Sequence, residues 1–167
     1  MRYMGGMAAA IAHPAFAALA VALLSAGALG FALVSQYAFG LAPCVLCLYQ
    51  RLPYAAALAL GVLALPWPAA RPYLLALASI ALTGNAGIAA FHVGVEQHWW
   101  QGLSGCSGAA GARTLEEMRR LIQQAPIVRC DEVPWSFLGL SMAGWNVPAS
   151  LALGFYAGIA AWWAKSK

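Results

Sequence analysis

The residues with the clearest chemistry are Cys44, Cys47 and Arg51, in the stretch Pro43-Cys44-Val45-Leu46-Cys47-Leu48-Tyr49-Gln50-Arg51. On a helix they fall at i, i+3 and i+7 and share one face. A C-x-x-C pair can close a short disulfide. A helix N-terminus and a nearby cation both favour the thiolate, the nucleophilic form of cysteine. Attachment of a c-type haem requires histidine after the second cysteine, and residue 48 is leucine. Structural zinc wants four nitrogen or sulfur ligands. Cys44, Cys47, Cys106 and Cys130 make four, but the second pair lacks the C-x-x-C spacing, and no metal is expected. A redox pair fits best. Arg51 reads either as a side chain snorkelling to an interface or as a working part of the cysteine face. Its cost within a membrane helix, about 2.5–3.5 kcal/mol on insertion scales, favours the second. It would stabilise a thiolate or hold an oxygen of an electron-accepting ring.

The elements that position this face are membrane spans. The 167 residues suffice for a single domain, and they are 63% hydrophobic and 8% charged. A soluble domain carries about 25% charged residues, so the chain lacks the charge to coat a water-facing surface. The expected class is an all-α integral membrane protein, one four-helix domain over residues 1–167. The net charge of +4 does not indicate nucleic acid, because the basic residues are scattered, while all five acids fall between Glu96 and Glu132.

Hydropathy places spans at about 15–34, 44–65, 73–93 and 146–164, each near the ~20 residues that cross a bilayer. The first exceeds the roughly 7–15 apolar residues of a secretory signal and is expected to remain as a helix. Pro53 lies inside the second, where a kink or a broken first turn is expected. Starting that span after Pro53 would leave too few residues to cross. Ser79, Thr83 and Gly87 in the third span, and Ser150, Gly154 and Gly158 in the fourth, form small-residue stripes suited to close helix contact.

Basic residues set the orientation. Arg2, Arg71, Lys165 and Lys167 mark the two termini and the 66–72 turn as cytoplasmic, with no acids among them. Loops 35–43 and 94–145 then face the far side, oxidising if the membrane is a bacterial inner membrane. The long loop contains a capping-box pattern, Thr114 to Glu117, and an amphipathic stretch over 115–124, read as a short helix. Its cysteines, Cys106 and Cys130, most simply form a disulfide. Alone that would be a structural staple; beside a C-x-x-C on the same membrane face, an exchangeable bond is the better reading. His92 ends the third span near the level of Cys47 and is a weaker candidate for the site. Glu96, His98, Trp99 and Trp100 read as interface and loop residues, and His13 as a cytoplasmic flank.

These features meet in a known family. Residues 43–51 closely resemble the first periplasmic motif of the disulfide bond formation protein B (DsbB) family. Cys130-Asp131-Glu132-Val133-Pro134-Trp135-Ser136-Phe137-Leu138-Gly139-Leu140-Ser141-Met142-Ala143-Gly144-Trp145 resembles the segment from that family's last cysteine onward. The resemblance covers the whole chain. It implies an inner-membrane thiol oxidase that reoxidises a periplasmic thioredoxin-fold dithiol protein, DsbA, and passes two electrons to a membrane quinone, ubiquinone or menaquinone. By position, Cys106 would form the mixed disulfide with the partner. Cys130 would pair with it and then attack Cys44. Cys47 would be the thiolate facing the quinone, with Arg51 supporting the ring or thiolate and His92 nearby. A potential of about −120 mV makes DsbA hard to oxidise, and so demands a quinone sink. Vitamin K epoxide reductase is a rival resemblance, disfavoured because its membrane C-x-x-C lies in a late helix. A non-enzymatic four-helix membrane protein with metal-binding or structural cysteines is the alternative of a different class.

Overall fold

The structure is a computed structural model and describes residues 13–103, 106, 114–116 and 128–166. Four helices dominate it: α1 (Pro14–Tyr37), α2 (Val45–Ala64), α3 (Arg71–Glu96) and α4 (Met142–Lys165), joined as an up-and-down bundle. Each is long and apolar enough to cross a membrane. Leu115 and Glu116 are helical, and the remainder of the amphipathic stretch expected over 115–124 lies outside the described residues.

The helix ends differ from the hydropathy limits for local reasons. α4 starts at Met142 rather than near 146, because Ser141 caps it by accepting from Gly144 N–H at 2.9 Å. α3 continues to Glu96 rather than stopping near 93, because its last turn is buried instead of emerging into water. At the opposite end Pro14 and Pro72 occupy first-turn positions, where a missing N–H costs nothing. Arg71 donates to the Ala64 and Leu65 carbonyls at 2.9 and 3.0 Å, so it closes the end of α2 as well as marking a basic turn.

Pro53 does not break α2, which runs unbroken from Val45 to Ala64. The expected broken first turn is absent. Proline forfeits one backbone bond, to the Tyr49 carbonyl, and packed neighbouring helices tolerate that loss.

The core is rich in alanine. Ala17, Ala18, Ala57, Ala64, Ala78, Ala157 and Ala160 pack with Val21, Leu75 and Leu82 towards the end away from the cysteines. Lipid is as apolar as the core, so close backbone approach matters more than bulk. The two small-residue stripes meet as expected. Ser79 Oγ donates to the Gly154 carbonyl at 2.8 Å, and a Cβ at Gly154 would stand 2.8 Å from Thr83 Oγ1. Gly87 is the exception, with nothing among the described residues within 4 Å of where its Cβ would be. A third close contact joins α1 to α2, where Gly61 lies against Ala18 and Ala22.

One element has no counterpart in the sequence reading. Strands β1 (Ser136–Phe137) and β2 (Leu140–Ser141) form a hairpin, with Ser136 opposite Ser141 and Phe137 opposite Leu140. Leu138 (φ 51°) and Gly139 (φ 79°) both take positive φ, as a type I′ turn requires. Leucine is unusual there, which hid the turn from pattern reading.

Candidate functional site at the cysteine end of the bundle

Cys44 is the N-cap of α2. Its sulfur accepts from the Cys47 backbone N–H at 3.2 Å, the capping role usually taken by an oxygen. This turn brings the two sulfurs within 2.7 Å of each other, and both cysteines are unbridged. Disulfide closure therefore needs no backbone movement. Cys44 is buried, whereas Cys47 is partly open.

Cys106 and Cys130 form a disulfide, as the simplest reading of the long loop held. It is not a remote staple. Both sulfurs are buried in one cluster with Cys44, Leu46 and Val95. The Cys106 carbonyl accepts from Cys130 N–H at 3.1 Å, which ties the two bridged segments together, and Val95 in the last turn of α3 packs in the same cluster. The fold thus assembles all four cysteines in a common apolar packet, two as a dithiol and two as a disulfide.

Polar residues line the other side of the dithiol. His92 is buried on α3, with Nε2 3.6 Å from Cys44 Sγ and Nδ1 2.9 Å from the Gln50 amide nitrogen. Glu96, one turn on, is buried, 3.9 Å from His92 Nε2, and accepts a short hydrogen bond from Ser141 Oγ. Below them a hydrogen-bonded chain descends between α2, α3 and α4. Asn146 Nδ2 donates to Gln50 Oε1, the Tyr54 hydroxyl donates to Asn146 Oδ1 at 2.7 Å, and Asn85 Nδ2 donates to Ser150 Oγ at 2.9 Å. Ser150 Oγ lies 2.9 Å from the Tyr54 hydroxyl and 3.0 Å from Asn146 Oδ1, which links the two ends. Polar groups inside a membrane bundle are costly unless paired, so a connected chain of this kind marks a site rather than filler.

Arg51 points to α1. It donates to Gln36 Oε1 at 2.7 Å and to the Ala32 carbonyl at 3.3 Å. These bonds hold the guanidinium against the wall of a cavity of about 730 Å³. Cys44, Cys47, Gln50, Arg51, His92 and Glu96 line this cavity together with Phe31, Trp135, Phe137 and Trp145. The aromatic cover is ordered: Trp135 stacks on Phe137 with centroids 6.1 Å apart, and Trp145 Nε1 donates to the Phe137 carbonyl at 2.9 Å. Phe137 lies in the hairpin and Trp135 just before it, whereas Trp145 comes from α4 and Phe31 from α1. At the rim, Arg129 binds Asp131 through two nitrogens. Those hydrogen bonds hold the Asp131 carboxyl below the usual carboxylate range.

Cys44, Cys47, Arg51 and His92 therefore share one cavity, and Cys106 and Cys130 pack behind it. Sequence reasoning missed Gln50, Tyr54, Asn85, Glu96, Asn146 and Ser150. Glu96 at i+4 from His92, and Gln50 at i+3 from Cys47, were signals of a shared face. Ser150 was read only as part of a packing stripe.

A half-buried dithiol beside a buried disulfide, at one end of four membrane-length helices, defines a membrane thiol–disulfide protein. The chain belongs to the DsbB family: the family model described as Disulfide bond formation protein DsbB matches residues 14–160. It is similar to Disulfide bond formation protein B of Xanthomonas euvesicatoria pv. vesicatoria, 34% identical over 149 residues, covering 84% of this chain and 82% of the relative. Disulfide bond formation protein B of Dechloromonas aromatica is 33% identical over 141 residues, covering 79% of this chain and 81% of that one. No solved structure matches the chain significantly.

Proposed function

We propose that this protein is a thiol oxidase that reoxidises a periplasmic, DsbA-like dithiol protein and passes the two electrons to a membrane quinone. The observation that carries the reading is the placement of the Cys44–Cys47 pair between a packed disulfide and a cavity lined by aromatic side chains, Arg51 and His92. In this reading the partner's dithiol attacks the Cys106–Cys130 disulfide. The partner leaves oxidised, and Cys106 and Cys130 become thiols. These reduce a Cys44–Cys47 disulfide, which regenerates their own bond and leaves the dithiol state at α2.

A quinone supplies the two-electron, two-proton sink that this dithiol requires. The cavity suits such a group: its walls are largely apolar and aromatic, and its polar lining includes N–H donors such as Arg51 beside the Glu96 and Glu132 carboxylates. Arg51, tied to α1 through Gln36, is the fixed cation of the site. His92 holds or moves a proton at Nε2, beside Cys44. The hairpin and its aromatic rings keep water from the thiols. Membrane placement follows the charge pattern: both termini cytoplasmic, both cysteine-bearing loops periplasmic, in a bacterial inner membrane.

The test is to mix purified protein, a short-chain quinone and a reduced thioredoxin-fold dithiol partner, and to follow quinone absorbance. Turnover that depends on Cys47 is expected. Absence of turnover, or turnover that survives Cys47→Ala, overturns the reading. In Cys106→Ser, partner oxidation should stop while the Cys44–Cys47 disulfide still forms, as read by thiol alkylation.

A further inference from the structure

Cys44, Cys47 and His92 present their ligand atoms within 4.8 Å of one another, with the residues buried or half-buried. We propose that the reduced form of this site binds one soft divalent cation, Zn²⁺ or Cd²⁺, through Cys44 Sγ, Cys47 Sγ and His92 Nε2, with Glu96 as the fourth ligand. Metal and the Cys44–Cys47 disulfide exclude one another. This ligand set differs from the four-cysteine clip considered from sequence, because Cys106 and Cys130 are already consumed by their own bond.

The geometry is close to what the cation needs. With Zn–S near 2.3 Å and Zn–N near 2.0 Å, a tetrahedral site has sulfur–nitrogen edges of roughly 3.5 Å. Cys44 Sγ and His92 Nε2 are 3.6 Å apart. Glu96 Oε1 is 3.9 Å from the same nitrogen but outside the 4.8 Å set of the other three, so the carboxylate must turn towards the sulfurs to become the fourth ligand. The sulfurs, at 2.7 Å, must spread by about 1 Å to reach a tetrahedral edge. Cys47 can supply that movement, because it is only half-buried and borders the cavity. Cys44 is held as the helix cap and stays in place.

Histidine ligands are oriented by a partner on the nitrogen that does not bind metal. Gln50 occupies that position, 2.9 Å from Nδ1. With metal on Nε2 the proton sits on Nδ1, and the Gln50 amide turns to accept it through Oε1. Asn146 would then turn its Oδ1, which now accepts from Tyr54 and Ser150, towards the Gln50 amide nitrogen.

Binding moves no electrons. The two thiols release their protons to solvent and the cation takes both sulfurs. A disulfide offers no thiolate, so the oxidised protein has no such site. Metal binding stands independently of the proposed quinone reaction; only its consequence, arrest of electron transfer from the dithiol, rests on that reading.

The probe is Cd²⁺, titrated into full-length protein in detergent micelles after chelator treatment. The readout is the ultraviolet thiolate-to-cadmium band together with equilibrium stoichiometry. The Cys106→Ser/Cys130→Ser variant serves as a second host, in which those two thiols cannot compete. We expect one Cd²⁺ per chain in the reduced state and none once Cys44 and Cys47 are oxidised. His92→Gln and Glu96→Gln should each weaken binding at least ten-fold, and Gln50→Leu about ten-fold. Circular dichroism identifies variants that fail to fold. Reduced protein that binds no tighter than Cys44→Ser overturns the proposal. So does equal binding by oxidised protein, or wild-type affinity in both His92→Gln and Glu96→Gln, which would reduce the site to a bare pair of thiols.

Discussion

The Gln50 side-chain nitrogen lies 2.9 Å from His92 Nδ1, and its oxygen accepts from Asn146. One amide thus links the ring beside Cys44 to a helix on the far side of the bundle. With Gln50 donating, Nδ1 accepts and Nε2 carries the proton that faces the Cys44 sulfur. In this arrangement Asn146 on α4 favours the tautomer with its proton on Nε2, until both amides turn over.

Replacing Gln50 with leucine should leave His92 and Asn146 without their buried partner. The cost is about 1–3 kcal/mol of stability, and quinone reduction should fall roughly ten-fold through loss of an oriented general acid–base group. The pH profile of quinone reduction separates this from mere loss of folded protein: it should shift in Gln50→Leu. A profile that keeps its shape and only drops in height would argue against an orienting role.

Arg51 spans two acceptors on α1, Gln36 Oε1 and the Ala32 carbonyl. Lysine carries the charge but cannot form this fork. In Arg51→Lys the KM for a short-chain quinone should rise several-fold, with a smaller change in kcat, if the guanidinium holds the ring. Quinone titration at saturating partner gives the split. A fall in kcat at unchanged KM would assign Arg51 to the thiolate instead.

Gly154 packs closely against α3, and an added Cβ meets Thr83 Oγ1 at 2.8 Å and Thr83 N at 3.2 Å. The second contact is with backbone, which cannot rotate away. Gly154→Ala should cost about 1–3 kcal/mol by overpacking, read as a lower thermal midpoint in detergent. Gly87→Ala, with open space around it, is the matched control and should be near neutral.

Ser141 does two jobs with one hydroxyl: it accepts from Gly144 N–H and donates to Glu96. Ser141→Ala should lose about 1–2 kcal/mol for the cap alone and leave the Glu96 carboxylate without its donor. Thermal unfolding of Ser141→Ala compared with Ser141→Thr, which keeps the hydroxyl, checks this.

The four spans were legible because hydrocarbon thickness sets their length and composition sets their class. The cysteine face was legible because i, i+3 and i+7 have a fixed meaning on a helix. Glu96 was not legible. A carboxylate just past an apolar run reads as a residue in water, and only the fold shows Ser141 and the start of α4 covering it. Asn146 and Ser150 were hidden for a related reason. Their partners, Gln50 and Tyr54, are ninety-six residues away in sequence, and no local spacing announces such a pair. The β-hairpin was missed because Leu138 occupies a position where asparagine or glycine is the usual sign.

The alanine-dense packing of Ala57, Ala64, Ala157 and Ala160 sits at the end away from the cysteines, and the polar chain stops at Asn85. Division of labour therefore runs along the membrane normal. The half away from the cysteines acts as a foundation, where a bulkier residue would loosen the helices without touching a reactive atom. The opposite half acts as the instrument, where a change as small as amide to methyl alters chemistry while the bundle stands. Variation in bilayer thickness can be absorbed in the foundation, by lengthening or trimming its turns, with the reactive end left in register.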